Sequence, residues 1–278
     1  MEIKVSDTIG FCFGVKKAVD MSKEALSRNK ETFSIGPIIH NPQVIDDLLK
    51  RGLKVLNNTK AVKRGVVIIS SHGAGAKLKD KRRKSDLKIL DATCPFVKRI
   101  QEIVKKLHKD GYRVIIVGKR AHPEVKALVD VTDGKAMVVK DTKEVKGMGL
   151  DRVKTGVVSQ STYSQSTFFE IVSLLLKKPF SEIRIFNTIC ADTIKRQDRA
   201  RDLAKTADVV IVVGGKNSSN TQRLAEVCRE EKSAYHIEDK DEIDPAWFSG
   251  KKSVAVTSGA STPDWVVHGV VEKIRRYC

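Results

Sequence analysis

Three of the five cysteines stand directly ahead of stretches with helical patterning. Cys12 precedes Phe13-Gly14-Val15-Lys16-Lys17-Ala18-Val19, a pattern that predicts a helix to about Ser27. Cys94 precedes Pro95-Phe96-Val97-Lys98-Arg99-Ile100, predicting a helix to about Lys109 with Pro95 in its first turn. Cys190 precedes Ala191-Asp192-Thr193-Ile194 and a charged helical stretch reaching about Thr206. The tight C-x-x-C knuckles from which structural zinc usually draws its thiolates are absent. Single thiols from three distant segments suit a larger inorganic body such as an iron–sulfur cluster. A cuboidal 4Fe–4S cluster normally takes four thiolates. With three, one iron keeps an open position that can act as a Lewis acid and pass electrons to a bound substrate. Cys228, in a helix-like stretch, reads as core, and Cys278 as incidental.

Each predicted helix leads into a β-rich run, at 32–39, 112–118 and 208–214, and then into a polar landmark. The landmarks are His40-Asn41-Pro42, His122-Pro123-Glu124 and Ser218-Ser219-Asn220, each beginning 28 residues after its cysteine. Second strands at 66–69, 156–158 and 254–256 end in further polar clusters. These are Ser70-Ser71-His72-Gly73, Ser159-Gln160-Ser161-Thr162 and Thr257-Ser258-Gly259-Ala260-Ser261.

The polar tips have the chemistry of an anion site. His40, His72 and His122 can donate hydrogen bonds and, when charged, attract an anion. Ser218, Ser219, Asn220 and Ser261 add neutral donors on Gly- and Ser-rich turns, where backbone N–H groups can also face a phosphate. A single loop His or Ser is more often a turn or cap residue; recurrence beside three cysteines favours a ligand-binding role. Glu124 is the one carboxylate placed directly in such a tip. It reads either as an ordinary acid in the first turn of a helix or as the proton source that expulsion of hydroxide, a poor leaving group, requires. Ser161 and Thr162 could relay that proton or hold a substrate alcohol.

The elements that must position these residues form an α/β protein. Three copies of Cys–helix–strand–tip–strand–tip imply three similar units of about 90 residues with mainly parallel strands. Their boundaries read as 13–94, 95–189 and 190–278, the last completed by the N-terminal segment 1–12. Arranged about a pseudo-threefold axis, such units would turn every tip and cysteine toward a central cluster, since ligands of open α/β sheets gather at the carboxyl ends of strands.

A net charge of +18, from 52 Lys and Arg against 34 Asp and Glu, attracts anions of any kind, from nucleic acid to phosphorylated metabolites. The densest run, Lys79-Asp80-Lys81-Arg82-Arg83-Lys84, reads first as a solvated loop or helix face. A basic RNA-binding protein with incidental or zinc-binding cysteines is the alternative. Aromatic residues at 5% argue against it, because base stacking needs Phe, Tyr and Trp platforms. The N-terminus lacks the apolar segment of a secretory signal, and no apolar run is long enough to span a membrane. An odd number of widely spaced cysteines points to the reducing cytoplasm.

Gly10-Phe11-Cys12-Phe13-Gly14-Val15, Asp91-Ala92-Thr93-Cys94-Pro95, Ala121-His122-Pro123-Glu124-Val125, Asn217-Ser218-Ser219-Asn220-Thr221 and Gly259-Ala260-Ser261-Thr262-Pro263 together resemble the 4-hydroxy-3-methylbut-2-enyl diphosphate reductases. The likeness runs in order along essentially the whole chain. It implies a three-domain monomer whose oxygen-sensitive 4Fe–4S cluster is held by Cys12, Cys94 and Cys190. It further implies addition of two electrons and two protons to an allylic alcohol, releasing water and forming isopentenyl and dimethylallyl diphosphate. The implied diphosphate pocket is His40, His72, Ser218, Ser219, Asn220 and Ser261, with His122 near the reacting end and Glu124 as proton relay. A ferredoxin or flavodoxin is the implied electron donor, and no specific nucleic acid or membrane is involved. One departure stands out: the family commonly has Gln-Thr-Thr where this chain has Gln160-Ser161-Thr162. Serine keeps the hydroxyl but loses the methyl that restricts its rotamer, so Ser161 is expected to be less firmly positioned.

Overall fold

A computed structural model of the chain describes residues 1–29, 31–57, 62, 64–74, 86–150 and 152–277. The basic run at 79–84 and Cys278 lie outside the described residues. Two compact units emerge, one made of residues 1–16, 39–47 and 191–278, the other of 17–38 and 48–190.

The first unit is built on the strands β1 (Glu2–Val5), β10 (Val209–Val213), β11 (Ala234–Ile237) and β12 (Ser253–Ser258), in the order β1-β12-β10-β11 and all parallel. The second unit carries two sheets. One joins β2 (Thr32–Ile35), β3 (Leu53–Leu56), β4 (Arg64–Ile69) and β5 (Asp86–Asp91) in the order β3-β2-β4-β5. The other joins β6 (Arg113–Val117), β7 (Met137–Val139), β8 (Val153–Ser159) and β9 (Phe180–Ile185) in the order β7-β6-β8-β9. Both are parallel throughout. If each sheet's strands are counted from its first central strand, with β1 as the last member of its sheet, the three orders are one and the same. In the two sheets of the second unit the chain leaves the two central strands in opposite lateral directions, creating a crevice at their carboxyl ends where ligands of α/β sheets collect.

Sequence explains why these strands are central. β10 is Val-Val-Ile-Val-Val and every residue of it is buried, the unbroken apolar run expected of a parallel strand covered on both faces. Val209, Ile211 and Val213 pack with Val267, Val270 and Ile274 of helix α9 (Asp264–Arg275). Val210 and Val212 face the other way, toward Ala200 and Ala204 of α7 (Ala191–Lys205) and Leu224 and Cys228 of α8 (Ser219–Glu231). In the second unit, Ile100, Val104 and Leu107 of α3 (Pro95–Lys109) pack on Val114, Ile116 and Val158. Gly156 permits that contact, since a Cβ there would sit 2.7 Å from Leu107 Cδ1. The other α-helices among the described residues are α1 (Phe13–Arg28), α2 (Pro42–Lys50), α4 (Pro123–Val131), α5 (Thr142–Lys146) and α6 (Gln165–Leu175).

The three helices expected after the cysteines form within one residue of their anticipated ends. The first β-rich run does not extend as far as its composition suggests. β2 stops at Ile35 because Gly36 adopts φ +67 and Pro37 cannot donate to a ladder, so Ile38 and Ile39 are buried outside the sheet.

Candidate active site

In the first unit, β10 and β12 end in two serine-bearing turns that meet. Ser218 caps α8 by accepting the Thr221 N–H at 3.3 Å. Ser261 Oγ donates to the carbonyl of His40 at 3.0 Å and lies 3.5 Å from Ser218 Oγ. Close approach is possible because Gly215 has no Cβ, which would stand 2.6 Å from the His40 carbonyl oxygen. Ser218, Ser219, Asn220 and Ser261 are all buried. Among the described residues, neither Nδ2 nor Oδ1 of Asn220 has a hydrogen-bond partner. Leaving a buried polar group unmet costs about 1–3 kcal/mol, so this amide is poised for a ligand. Burial also holds the His40 imidazole below the ordinary histidine pKa, which favours its neutral form until an anion approaches.

The second unit brings together His72, His122, Glu124 and Ser161. His122 caps α4, its Nδ1 accepting the Glu124 N–H at 3.2 Å, which places the proton of the neutral ring on Nε2. The His72 and His122 rings meet edge to face with centroids 5.5 Å apart. Glu124 is 1% exposed. Its Oε1 accepts the Ser161 N–H at 2.7 Å and its Oε2 accepts the Ser161 hydroxyl at 2.6 Å. Burial pushes the carboxyl up to about 7, and the two Ser161 hydrogen bonds oppose that rise. Ser161 is therefore held from both its backbone and its side chain, more firmly than the loss of a methyl suggested.

The three cysteines share one further feature. Cys12 N–H donates to Ala260 O at 3.0 Å, Cys94 N–H to Ser71 O at 3.0 Å and Cys190 N–H to Ser161 O at 2.9 Å. Every acceptor belongs to the tip after the second central strand of a sheet. Ser161 thus binds Glu124 through its N–H and hydroxyl and Cys190 through its carbonyl. Cys12, Cys94 and Cys190 are half-buried thiols immediately ahead of α1, α3 and α7. Cys94 makes no side-chain capping bond, which leaves its sulfur available. Cys228 is the counter-example: it is fully buried, its Sγ donates to Ala200 O at 3.8 Å, and burial pushes its thiol up to about 12. Taken one by one, the helix-leading thiols are the soft ligands an iron–sulfur centre takes, and Cys228 is not.

Two further residues, neither of them among the anticipated site residues, brace these tips. Thr188 clamps the end of β8, accepting the Ser159 N–H at 2.7 Å and donating to Ser159 O at 2.6 Å. Gln160 is buried and bridges the carboxyl ends of β6 and β8, accepting the Lys119 N–H at 3.0 Å and donating to Thr162 Oγ1 at 2.8 Å. The parallel between Asp91-Ala92-Thr93-Cys94 and Asn187-Thr188-Ile189-Cys190 could have pointed to Thr188, since each run places short polar side chains just before its cysteine. Thr93 serves similarly, its hydroxyl donating to Asp91 Oδ1 at 2.5 Å.

Comparison with known proteins agrees along the whole chain. Residues 3–275 match the LytB protein family. The 4-hydroxy-3-methylbut-2-enyl diphosphate reductase of Geobacter sulfurreducens is 48% identical over 279 aligned positions, covering 100% of this chain and 98% of the relative. That of Pelobacter propionicus is 45% identical, covering 99% and 98%. A solved (E)-4-hydroxy-3-methyl-but-2-enyl diphosphate reductase, described as the terminal enzyme of the non-mevalonate pathway, aligns with TM-score 0.70 and 38% identity over 99% of this chain and 100% of its own. The Plasmodium falciparum reductase structure aligns with TM-score 0.91 and 26% identity, covering 98% and 87%. The chain belongs to the LytB protein family.

Proposed function

We propose that this chain is a 4-hydroxy-3-methylbut-2-enyl diphosphate reductase. The observation that carries the reading is Ser161, which ties the buried acid Glu124 to the backbone N–H of the helix-leading Cys190. Full-length similarity to diphosphate reductases supports the same conclusion and disfavours the RNA-binding alternative.

The reaction consumes two electrons and two protons. The C–O bond of the allylic alcohol breaks, one proton completes water, and the other is taken up by carbon at either end of the allyl unit to give the two products. Cys12, Cys94 and Cys190 would hold one 4Fe–4S cluster, which when bound supplies the electrons and a Lewis-acidic iron. The division into 13–94, 95–189 and 190–278 with 1–12 puts Cys94 at the junction of the first and second units, Cys190 at the junction of the second and third, and Cys12 where the N-terminal segment meets the first.

Glu124 holds the proton. The Ser161 N–H points at Oε1, so a neutral carboxyl carries its hydrogen on Oε2, facing Ser161 Oγ. With Oγ accepting from the acid, its own hydrogen turns toward the departing oxygen. Ser161 passes that hydrogen on and is replenished from Glu124. A carboxyl titrating at about 7 is substantially protonated at neutral pH, which an ordinary glutamate is not. Ser218, Ser219, Asn220 and Ser261 bind the diphosphate with His40 and His72, and His122 lies toward the alcohol end. The electron donor is a ferredoxin or flavodoxin, and the protein works as a cytoplasmic monomer. No described helix is long and apolar enough to cross a membrane.

Anaerobic purification and assay test the proposal. A brown protein with about four iron and four acid-labile sulfide per chain, converting the substrate to both products with a low-potential donor, is expected. A colourless zinc protein without turnover would contradict it.

A further inference from the structure

Arg196 is a buried cation that the chemistry above does not use. It lies on α7, six residues after Cys190, and is 3% exposed. Its Nε donates to Asp192 Oδ2 at 2.8 Å and its Nη2 to the Gly10 carbonyl at 3.0 Å. Its Nη1 donates to the Thr8 carbonyl and, at 3.4 Å, to that of Ser258. A buried guanidinium is tolerated only when its donors are met, and here most of the acceptors are main-chain carbonyls rather than carboxylates. Two of those carbonyls belong to the segment that leads into Cys12.

That segment is tightly enclosed. Gly10 adopts φ +80, and a Cβ on it would fall 1.8 Å from Asp264 Oδ1. Two residues later the Cys12 N–H bonds to Ala260 O, and the next residue, Ser261, holds the His40 carbonyl. Arg196 therefore grips both chains that converge on Cys12: the N-terminal segment at Thr8 and Gly10, and the end of β12 at Ser258.

We propose that Arg196 is a positioning residue for Cys12, its guanidinium presetting the 8–12 segment so that the Cys12 thiol is in place before a cluster is loaded. This rests on the reading of Cys12 as a cluster ligand.

The test is residue-resolved alkylation by iodoacetamide of the full chain, reduced and freed of metal by chelation, followed by mass spectrometry. In Arg196→Gln, the Cys12 rate should rise roughly tenfold, because buried carbonyls lose their donors and the segment opens. Cys94, Cys190 and Cys228 should react as in the wild type. A common rise at all four cysteines would mean a merely structural role and overturn the proposal, as would an unchanged Cys12. Should Arg196→Gln fail to fold, Asp192→Ala removes only the Nε partner and should raise the Cys12 rate alone by a smaller factor; no change there counts against the proposal.

Iron uptake supplies the second readout. Arg196→Lys should take up less iron than Val267→Ala, a core variant chosen for matched thermal stability; equal uptake overturns the proposal. Failure of the wild type to take up iron would instead sink the reductase reading and leave the alkylation result standing.

Discussion

At the tip of β8, both oxygens of the Glu124 carboxylate are bonded by a single residue, Ser161. At the tips of β10 and β12, the amide of Asn220 is as deeply buried, yet neither of its polar atoms has a partner among the described residues. Both places are carboxyl ends of central parallel strands in sheets of one topology. The difference lies in what each is built to receive. A satisfied acid withdrawn from water has its pKa set by the protein and can store a proton at neutral pH. An unsatisfied amide beside serine hydroxyls carries a desolvation cost that an incoming anion reduces by accepting from Nδ2.

Ser161→Ala attacks the closed tip most severely. Loss of the hydroxyl relay should lower turnover by about 10²-fold or more. It should also carry the Glu124 carboxyl higher, because one of the hydrogen bonds opposing the rise is gone. The alkaline limb of the pH–rate profile, where turnover falls as Glu124 loses its proton, then moves to higher pH when measured by product formation. Ser161→Thr keeps the hydroxyl and should stay near the parent.

Next comes the effect of pH on stability. A folded-state carboxyl raised from 4.5 to about 7 stabilises the fold relative to an ordinary glutamate's behaviour below pH 4.5, and that contribution is lost as pH rises through 7. Glu124→Gln cannot ionise. Its stability relative to wild type should therefore increase by about 3 kcal/mol between pH 4.5 and pH 8, read from denaturant midpoints. A pH-independent difference would mean that Glu124 titrates normally.

The open tip should respond in the opposite sense. Asn220→Ala should weaken diphosphate binding about 10- to 100-fold by calorimetry, while leaving unfolding unchanged or slightly harder, since the wild-type amide is unmet. If stability falls as sharply as affinity, Asn220 is a structural residue. Smallest is Cys228→Ala. It should cost about 1 kcal/mol of stability from lost packing and leave bound iron at the wild-type level.

Local sequence carried much of this. The helix after each cysteine is legible because apolar spacing and Pro95 are local signals, and the 28-residue recurrence of His40, His122 and Ser218 marks the strand ends. The edge strands β3, β7 and β11, only three or four residues long, are too brief for their composition to declare them. Arg196 is invisible in sequence because its partners Thr8 and Gly10 lie more than 180 residues away, and a charged helix normally reads as solvated. The firm hold on Ser161 was equally hidden, since it depends on Glu124, a residue from a different strand end.

The most direct test of the stored proton compares binding with turnover in Glu124→Gln under anaerobic conditions, with iron content matched to wild type. Substrate affinity within about threefold of wild type and turnover reduced at least about 10²-fold are predicted. Turnover close to wild type would contradict the role of Glu124 as the proton source.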